Sequence, residues 1–220
     1  MLIEWYGIRI HRKQYHSGLV KYFKNFFRRH IMSATKRLFD IVFAVILLTL
    51  YSIPMIFIAL LIKCTSVGPV CYWSDRAGAH NMIFKMPKFR SMRINTPAVA
   101  THLLRDPSKY VTRVGGLLRR TSLDELPQLW SIIVGDMSFV GPRPALYNQN
   151  DLISHRTQKG IHVLIPGLTG WAQIHGRDDL PIPIKVQYDE YYLTHQSWRL
   201  DLHILWKTIS KIIKAEGVTH

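Results

Sequence analysis

Cysteine is scarce in this 220-residue chain: only Cys64 and Cys71 are present. Two thiols build no disulfide framework, which points to a reducing, cytoplasmic setting. None of the 11 histidines falls in a zinc-ligand spacing with those cysteines, so no structural zinc site is expected. Acid is also sparse, with 14 Asp and Glu against 29 Lys and Arg, a formal net charge of +15. That balance does not set the fold, but it favours anionic partners such as nucleic acid, acidic lipid or phosphorylated substrates. A phosphate-binding P-loop is missing: no Lys-Ser or Lys-Thr follows Gly115-Gly116 at the required spacing, and the glycine pair reads as a turn before a helix. There are no internal repeats, no low-complexity tracts and no recognisable nucleic-acid-binding motif, which counts against a nucleic-acid partner. No small-residue cleavage site follows a hydrophobic core near the start, so a cleavable signal peptide is excluded.

What is present suits one domain plus an anchor. Residues 1–35 form a basic, aromatic arm. Nine basic side chains and one acid lie between residues 1 and 37, giving +8 of the total charge. The stretch YFKNFFRRH reads either as an interfacial arm on anionic lipid, with Tyr22, Phe23, Phe26 and Phe27 dipping in, or as a flexible tail or an extension from a misassigned start codon. Residues 36–63 hold the one membrane-length apolar run. At about 1.5 Å per residue, 25 residues reach roughly 37 Å, enough to cross a bilayer. Pro54 breaks or kinks that helix, and Ser52 is placed to re-satisfy backbone near the break. Lys36 and Arg37 precede the run and Lys63 follows it, so basic residues flank both ends and choose no orientation. A re-entrant helix-break-helix satisfies both flanks and is slightly favoured over a single kinked span.

Residues 64–220 form the soluble part. VCYW reads as a short strand. IFKMPKFRSM, with Lys85, Lys88 and Arg90, is either a phosphate-contacting segment or a solvated basic edge strand. In TSLDELPQLW, Ser122 to Glu125 match a capping box, but Pro127 would then break a helical bond. A helix starting at Asp124 puts Pro127 in the first turn and the Asp124–Glu125 pair at a helix N-terminus, where a phosphate is favoured. Gly141-Pro142-Arg143-Pro144 holds one arginine between two prolines, pre-organised to clamp a phosphate; the plainer reading is a Pro-rich loop with an exposed arginine. Arg177 is either a phosphate contact or a turn arginine paired with Asp178 or Asp179. In the last segment Leu202, Leu205, Ile209 and Ile212 follow helical spacing, with Lys207, Lys211 and Lys214 on another side. A core-facing helix is favoured there over a membrane-lying one.

Taken together and in order, KRLFD, FKMPKFRSM, TSLDELPQLW, GDMSFVGPRP, PGLTGWAQIHGRD and LDLHILWKTI resemble the bacterial sugar transferases, specifically the small monotopic polyprenyl-phosphate phosphoglycosyl transferases. The resemblance covers roughly residues 36–218. It implies transfer of sugar-1-phosphate from a UDP-sugar donor to polyprenyl (undecaprenyl) phosphate, releasing UMP, through a covalent aspartyl phosphosugar. Asp124 matches the nucleophile. Glu125, beside Asp124, matches the Mg²⁺ ligand. Arg119, Arg143 and Arg177 match arginines around the phosphates and the acidic pair, and Lys88 and Asp201 match further functional polar positions. The chain departs from the family pattern where Ile53 separates Ser52 from Pro54, at Arg76-Ala77-Gly78, and at His175, where asparagine is common. It resembles the minimal form, without additional membrane helices.

The expected fold is α+β and mainly helical: a compact cytoplasmic domain with short strands on an N-terminal re-entrant membrane helix, with interfacial helices. The expected location is the cytoplasmic face of a bacterial inner membrane, with donor, acceptor and membrane lipid as partners. The alternative is a non-catalytic membrane adaptor holding acidic lipids or glycan-assembly partners. Family analogy suggests an N-acetylated amino sugar; neither the sugar nor an oligomeric state is specified by these residues.

Overall fold

The computed structural model describes residues 34–97, 106–176 and 180–214. The readings made for residues 1–33, for most of PAVATHLL and for Arg177, Asp178 and Asp179 lie outside them. The chain divides into two units, residues 1–39 and 40–220. The first is described only at residues 34–39; the candidate site and the elements that support it belong to the second.

Two helices open the described chain. Helix α1 (Ala34–Leu50) and helix α2 (Ser52–Thr65) meet at Tyr51 with a 60° bend. The cause is local. Pro54 offers no N–H to the preceding turn, and Tyr51 leaves ideal helical geometry at φ −91°, ψ 5°. The Ser52 hydroxyl donates to the Thr49 carbonyl at 2.8 Å, replacing part of what the break removes. No single described helix is long and apolar enough to cross a membrane, but the bent pair together meets the length and composition required. Val42, Val45, Ile46 and Leu50 on α1, and Ile53, Ile56, Phe57 and Leu60 on α2, are exposed. The opposite face of α2 buries Ile58 and Ile62 against Phe89 and Leu118. On α1, buried Asp40 accepts the backbone N–H of Phe139 at 3.2 Å.

Strands β1 (Cys71–Ala77) and β2 (Ile83–Phe89) form an antiparallel hairpin. His80 and Asn81 turn it with positive φ of 54° and 60°, and the Met82 N–H bonds the Ala79 carbonyl at 3.1 Å. Such left-handed turns match the twist of paired strands, and Asn and His tolerate them better than most residues. Strand β2 carries Pro87, which is admissible because β2 is the edge of the sheet β2-β1-β4. Arg90, just past it, is buried and has a structural role. It donates to the carbonyls of Ser66 and Val67 and to the Ser66 hydroxyl, holding the C-terminal end of α2.

Helix α3 (Arg113–Arg120) contains Gly115 and Gly116, so the glycine pair is inside a helix and not a turn before one. Thr112 caps α3 by accepting the Gly115 N–H at 2.9 Å. Gly115 is required by a crossing backbone: a Cβ there would lie 1.9 Å from the Ser91 carbonyl oxygen. That contact outweighs the usual cost of glycine in a helix, about 1 kcal/mol.

After helix α4 (Gln128–Val134), strand β3 (Ser138–Val140) pairs in parallel with β5 (Gly167–Thr169), and β4 (Ala145–Leu146) adds to β1. Helices α5 (Asn150–Gln158), α6 (Trp171–Ile174), α7 (Ile182–His195) and α8 (Trp198–Lys214) complete a mainly helical domain with a few short strands. A second core joins Ala145, Leu152, Ile161 and Val186. Helix α8 corrects the favoured reading of its apolar stripe. Leu202, Ile209 and Ile212 are exposed, as is Trp206, while Asp201 and Ile204 are buried. The inward face is fixed by polar contacts, Asp201 with Tyr192 and Thr208 with Thr169, each under 3 Å.

The Ser91 crossing predicts opposite outcomes at neighbouring glycines. Gly115→Ala should lower the apparent Tm in detergent, by an overpacking cost of about 1–3 kcal/mol. Gly116→Ala, whose Cβ would meet only Val111 at 3.7 Å, should leave it unchanged or raise it.

Candidate active site

Ser122 adopts a left-handed conformation, φ 58° and ψ 15°, and its side chain caps nothing. Leu123, Asp124 and Glu125 then form a single 3₁₀ turn. Helix α4 begins only at Gln128, with Pro127 as its N-cap. Both sequence readings of the start are therefore corrected: the capping box does not form, and the helix does not begin at Asp124. Proline is accommodated just ahead of the first helical N–H that would need a partner.

The turn lies between α3, α4 and strand β2; it buries Asp124 and leaves Glu125 half-buried. Asp124 is 8% exposed. Lys88, reaching from β2, sits 2.7 Å from Glu125 Oε1. Arg143 donates from Nη2 to the same oxygen at 3.0 Å. One carboxylate oxygen thus joins two cations that are 55 residues apart in sequence, and Glu125 is the hub.

The loop that delivers Arg143 is tied at every residue. The Gly141 N–H bonds the Thr169 carbonyl at 2.9 Å, and the Pro142 carbonyl accepts the Gly167 N–H at 2.9 Å. The Arg143 carbonyl accepts from Arg156 Nη1 at 2.8 Å, and the Pro144 carbonyl from Arg76 Nη1 at 3.1 Å. Glycines 141, 167 and 170 allow the backbones to approach this closely; a Cβ on Gly170 would lie 2.1 Å from the Gly141 oxygen. Two prolines and four hydrogen bonds leave the backbone little freedom, which pre-organises the guanidinium.

The two acids titrate apart. Burial pushes the Asp124 carboxyl up to about 6, and the neighbouring Glu125 charge adds to the rise; Lys88, Arg119 and Arg143 pull against it. For Glu125, burial also pushes up, but Lys88 and Arg143 outweigh it and hold the group well below the usual carboxylate range. Burial draws Lys88 below the ordinary lysine value while Glu125 pulls it back. The result is a Glu125 whose ionised form is favoured beside an Asp124 whose ionised form is disfavoured, two like groups made different by their surroundings.

The sequence model of the family described as "Bacterial sugar transferase" matches residues 31–215. The chain belongs to the bacterial sugar transferase family. It is 38% identical over 183 residues to an uncharacterised sugar transferase, EpsL, of Bacillus subtilis, covering 83% of this chain and 89% of that one. It is 38% identical over 192 residues to the UDP-N-acetylgalactosamine-undecaprenyl-phosphate N-acetylgalactosaminephosphotransferase of Aeromonas hydrophila, covering 85% of this chain and 45% of that protein. It is 40% identical over 185 residues to the UDP-glucose:undecaprenyl-phosphate glucose-1-phosphate transferase of Escherichia coli, covering 80% and 39%. The chain therefore spans less than half the length of the latter two relatives.

Within this family member, Asp124, Glu125, Lys88 and Arg143 come together, and Arg119 acts on Asp124 through its charge. Asp201 lies on α8, buried, accepting the Tyr192 hydroxyl at 2.8 Å. Burial and the Asp201 charge keep that hydroxyl protonated far above the ordinary tyrosine range. Tyr192 also donates to the Val140 carbonyl at 3.2 Å, so Asp201 supports the strand that leads into Gly141. Sequence reasoning missed Arg76, Arg156 and Asp189. Arg76 lies in a stretch marked only by its departure from the family pattern, and no local motif marks Arg156 or its partner Asp189, which are 33 residues apart.

The raised Asp124 carboxyl carries a sign. Because its folded value lies above its unfolded one, the fold loses stability as pH rises from about 4 through 6, when a buried charge forms. Asp124→Asn removes that charge. In EDTA, its Tm should exceed the wild-type value by several degrees at pH 8, and the gap should close as pH falls below about 6.

Proposed function

We propose that the chain is a polyprenyl-phosphate phosphoglycosyl transferase working at the cytoplasmic face of a bacterial membrane. One observation carries this reading: a buried Asp124 stands next to an ion-paired Glu125 and a fixed Arg143, in a bacterial sugar transferase. A carboxylate of raised basicity is a better nucleophile than an ordinary one. Fixed cations around it are suited to a diphosphate, whose charge they stabilise during transfer.

The reaction runs in two displacements. An Asp124 oxygen attacks the sugar-bearing phosphorus of the UDP-sugar, the bond to the bridging oxygen breaks, and UMP leaves with that oxygen. The aspartyl phosphosugar is then attacked by a phosphate oxygen of polyprenyl phosphate, which expels the Asp124 carboxylate and forms the polyprenyl diphosphate sugar. Splitting one transfer into two steps lets a single site serve a soluble donor and a lipid acceptor in turn. Lys88, Arg119 and Arg143 hold the phosphates, with Arg177 as a further contact.

Mg²⁺ is the cofactor in this reading. Among the described residues no group of three or more His, Cys, Asp and Glu gathers, so the protein would supply only the two adjacent carboxylates; a pair of carboxylates completed by substrate phosphates and water suits this hard ion. Glu125, with Asp124 beside it, would hold the ion, which would neutralise diphosphate charge and relieve the repulsion between the two acids.

The bent α1–α2 pair, with its exposed apolar faces, is read as a re-entrant hairpin that keeps both basic flanks on one side. The exposed stripe of α8, with Lys207 and Lys211, is read as lying on the same lipid surface. The names of the relatives specify glucose in one and N-acetylgalactosamine in another, so a panel of donors is needed to identify the sugar.

The test uses purified protein in detergent with Mg²⁺, polyprenyl phosphate and a panel of UDP-sugars. At least one donor should release UMP. Asp124→Asn should lower release by about 10⁴-fold or more, and EDTA should abolish it. Donor alone should leave a sugar-phosphate mass on the wild type and none on Asp124→Asn. No release from any donor, with no adduct, would favour the membrane-adaptor reading instead.

A further inference from the structure

Arg143 can serve a phosphate only if its guanidinium is aimed, and its aim depends on where its own main chain sits. The prolines on either side restrict rotation but do not locate the loop in space. Location comes from the hydrogen bonds to the loop, and the Arg143 carbonyl receives one from Arg156. Arg156 is 8% exposed and Asp189 is 1% exposed. The Arg156 Nε and Nη2 both donate to Asp189 Oδ2, at 2.9 and 2.6 Å. The remaining Nη1 donates to the Arg143 carbonyl at 2.8 Å. Asp189 lies on α7 and Arg156 on α5, both rooted in the second core.

We propose that Arg156, oriented by Asp189, is a positioning residue: it fixes the main chain of Arg143 and so sets where that guanidinium meets the reacting phosphate. The planar fork explains the residue type. Two N–H groups engage one carboxylate oxygen and a third points elsewhere at a set angle, a geometry that an ammonium does not reproduce. The burial of the pair explains its rigidity, since neither group exchanges partners with water. The inference rests on the phosphoglycosyl transferase reading, because it concerns the aim of an arginine in that reaction.

Removing Arg156 alone would strand a buried carboxylate, so the test replaces both partners with apolar residues, a change that buried ion pairs commonly tolerate. Arg156→Met with Asp189→Leu should retain the wild-type Tm in detergent yet lose about 10–100-fold in the kcat for UMP release, the scale expected for misplacement of a catalytic group by about 1 Å. A lost active fraction would lower kcat too, so the pair is repeated in an Arg143→Lys background. If Arg156 acts through Arg143, the apolar pair should there cost less than about threefold. An equal loss in both backgrounds overturns the proposal, as does an unchanged kcat in the wild-type background. Arg156→Lys, which keeps the buried charge pair, gives a second reading if the apolar pair does not fold: about tenfold loss is expected, and full activity overturns the proposal. Wild-type protein that releases no UMP from any donor overturns the functional reading, and the inference falls with it.

Discussion

Glu125 Oε1 is the point on which the site depends. It receives Lys88 from an edge strand and Arg143 from a double-proline loop, at 2.7 and 3.0 Å. A carboxylate largely withdrawn from water stays ionised only when it is paired and hydrogen-bonded, and these two cations meet that condition for the half-buried Glu125. Their arrangement has a second effect. Burial raises the basicity of its neighbour Asp124, and the Glu125 charge held beside it adds to the rise. One short 3₁₀ turn therefore yields an anchor and a reactive group from two adjacent acids.

The rest of the domain can be understood as support for that hub. The hairpin places Lys88 one residue from the end of β2. Gly115 lets the segment after β2 cross α3 closely. Strand β3 is held from two sides, by Asp40 of the first helix at Phe139 and by Tyr192 at Val140. It delivers a loop whose four residues are each hydrogen-bonded. Asp40 is notable because its helix also carries part of the exposed apolar face of the bent pair, so the strand feeding the site is tied directly to the segment read as membrane-embedded. Such a direct link suits an enzyme that must bring a lipid-borne phosphate to a fixed point.

Much of this was legible in the sequence, for identifiable reasons. Asp124, Glu125 and Arg143 stood out because adjacency and proline are local signals. The break near Ser52 and Pro54 followed from a missing N–H. Three readings needed the third dimension. Gly115-Gly116 looked like a turn because glycine usually weakens helices, and only the Ser91 carbonyl explains its place in α3. The stripe of α8 was periodic, but periodicity identifies a face without saying which face the protein covers; Asp201 and Thr208 decided that. Arg156 and Asp189 carry no motif, since two unremarkable helices bring them together from a separation of 33 residues.

The central claim is that Asp124 carries the phosphosugar between donor and acceptor. Isotope exchange tests it most directly. Labelled UMP is incubated with the protein, Mg²⁺ and an active UDP-sugar, in the absence of polyprenyl phosphate. Two separate displacements predict that label enters the UDP-sugar pool, because the first step reverses on its own. Rapid transfer to polyprenyl phosphate without any such exchange would contradict a covalent intermediate on Asp124.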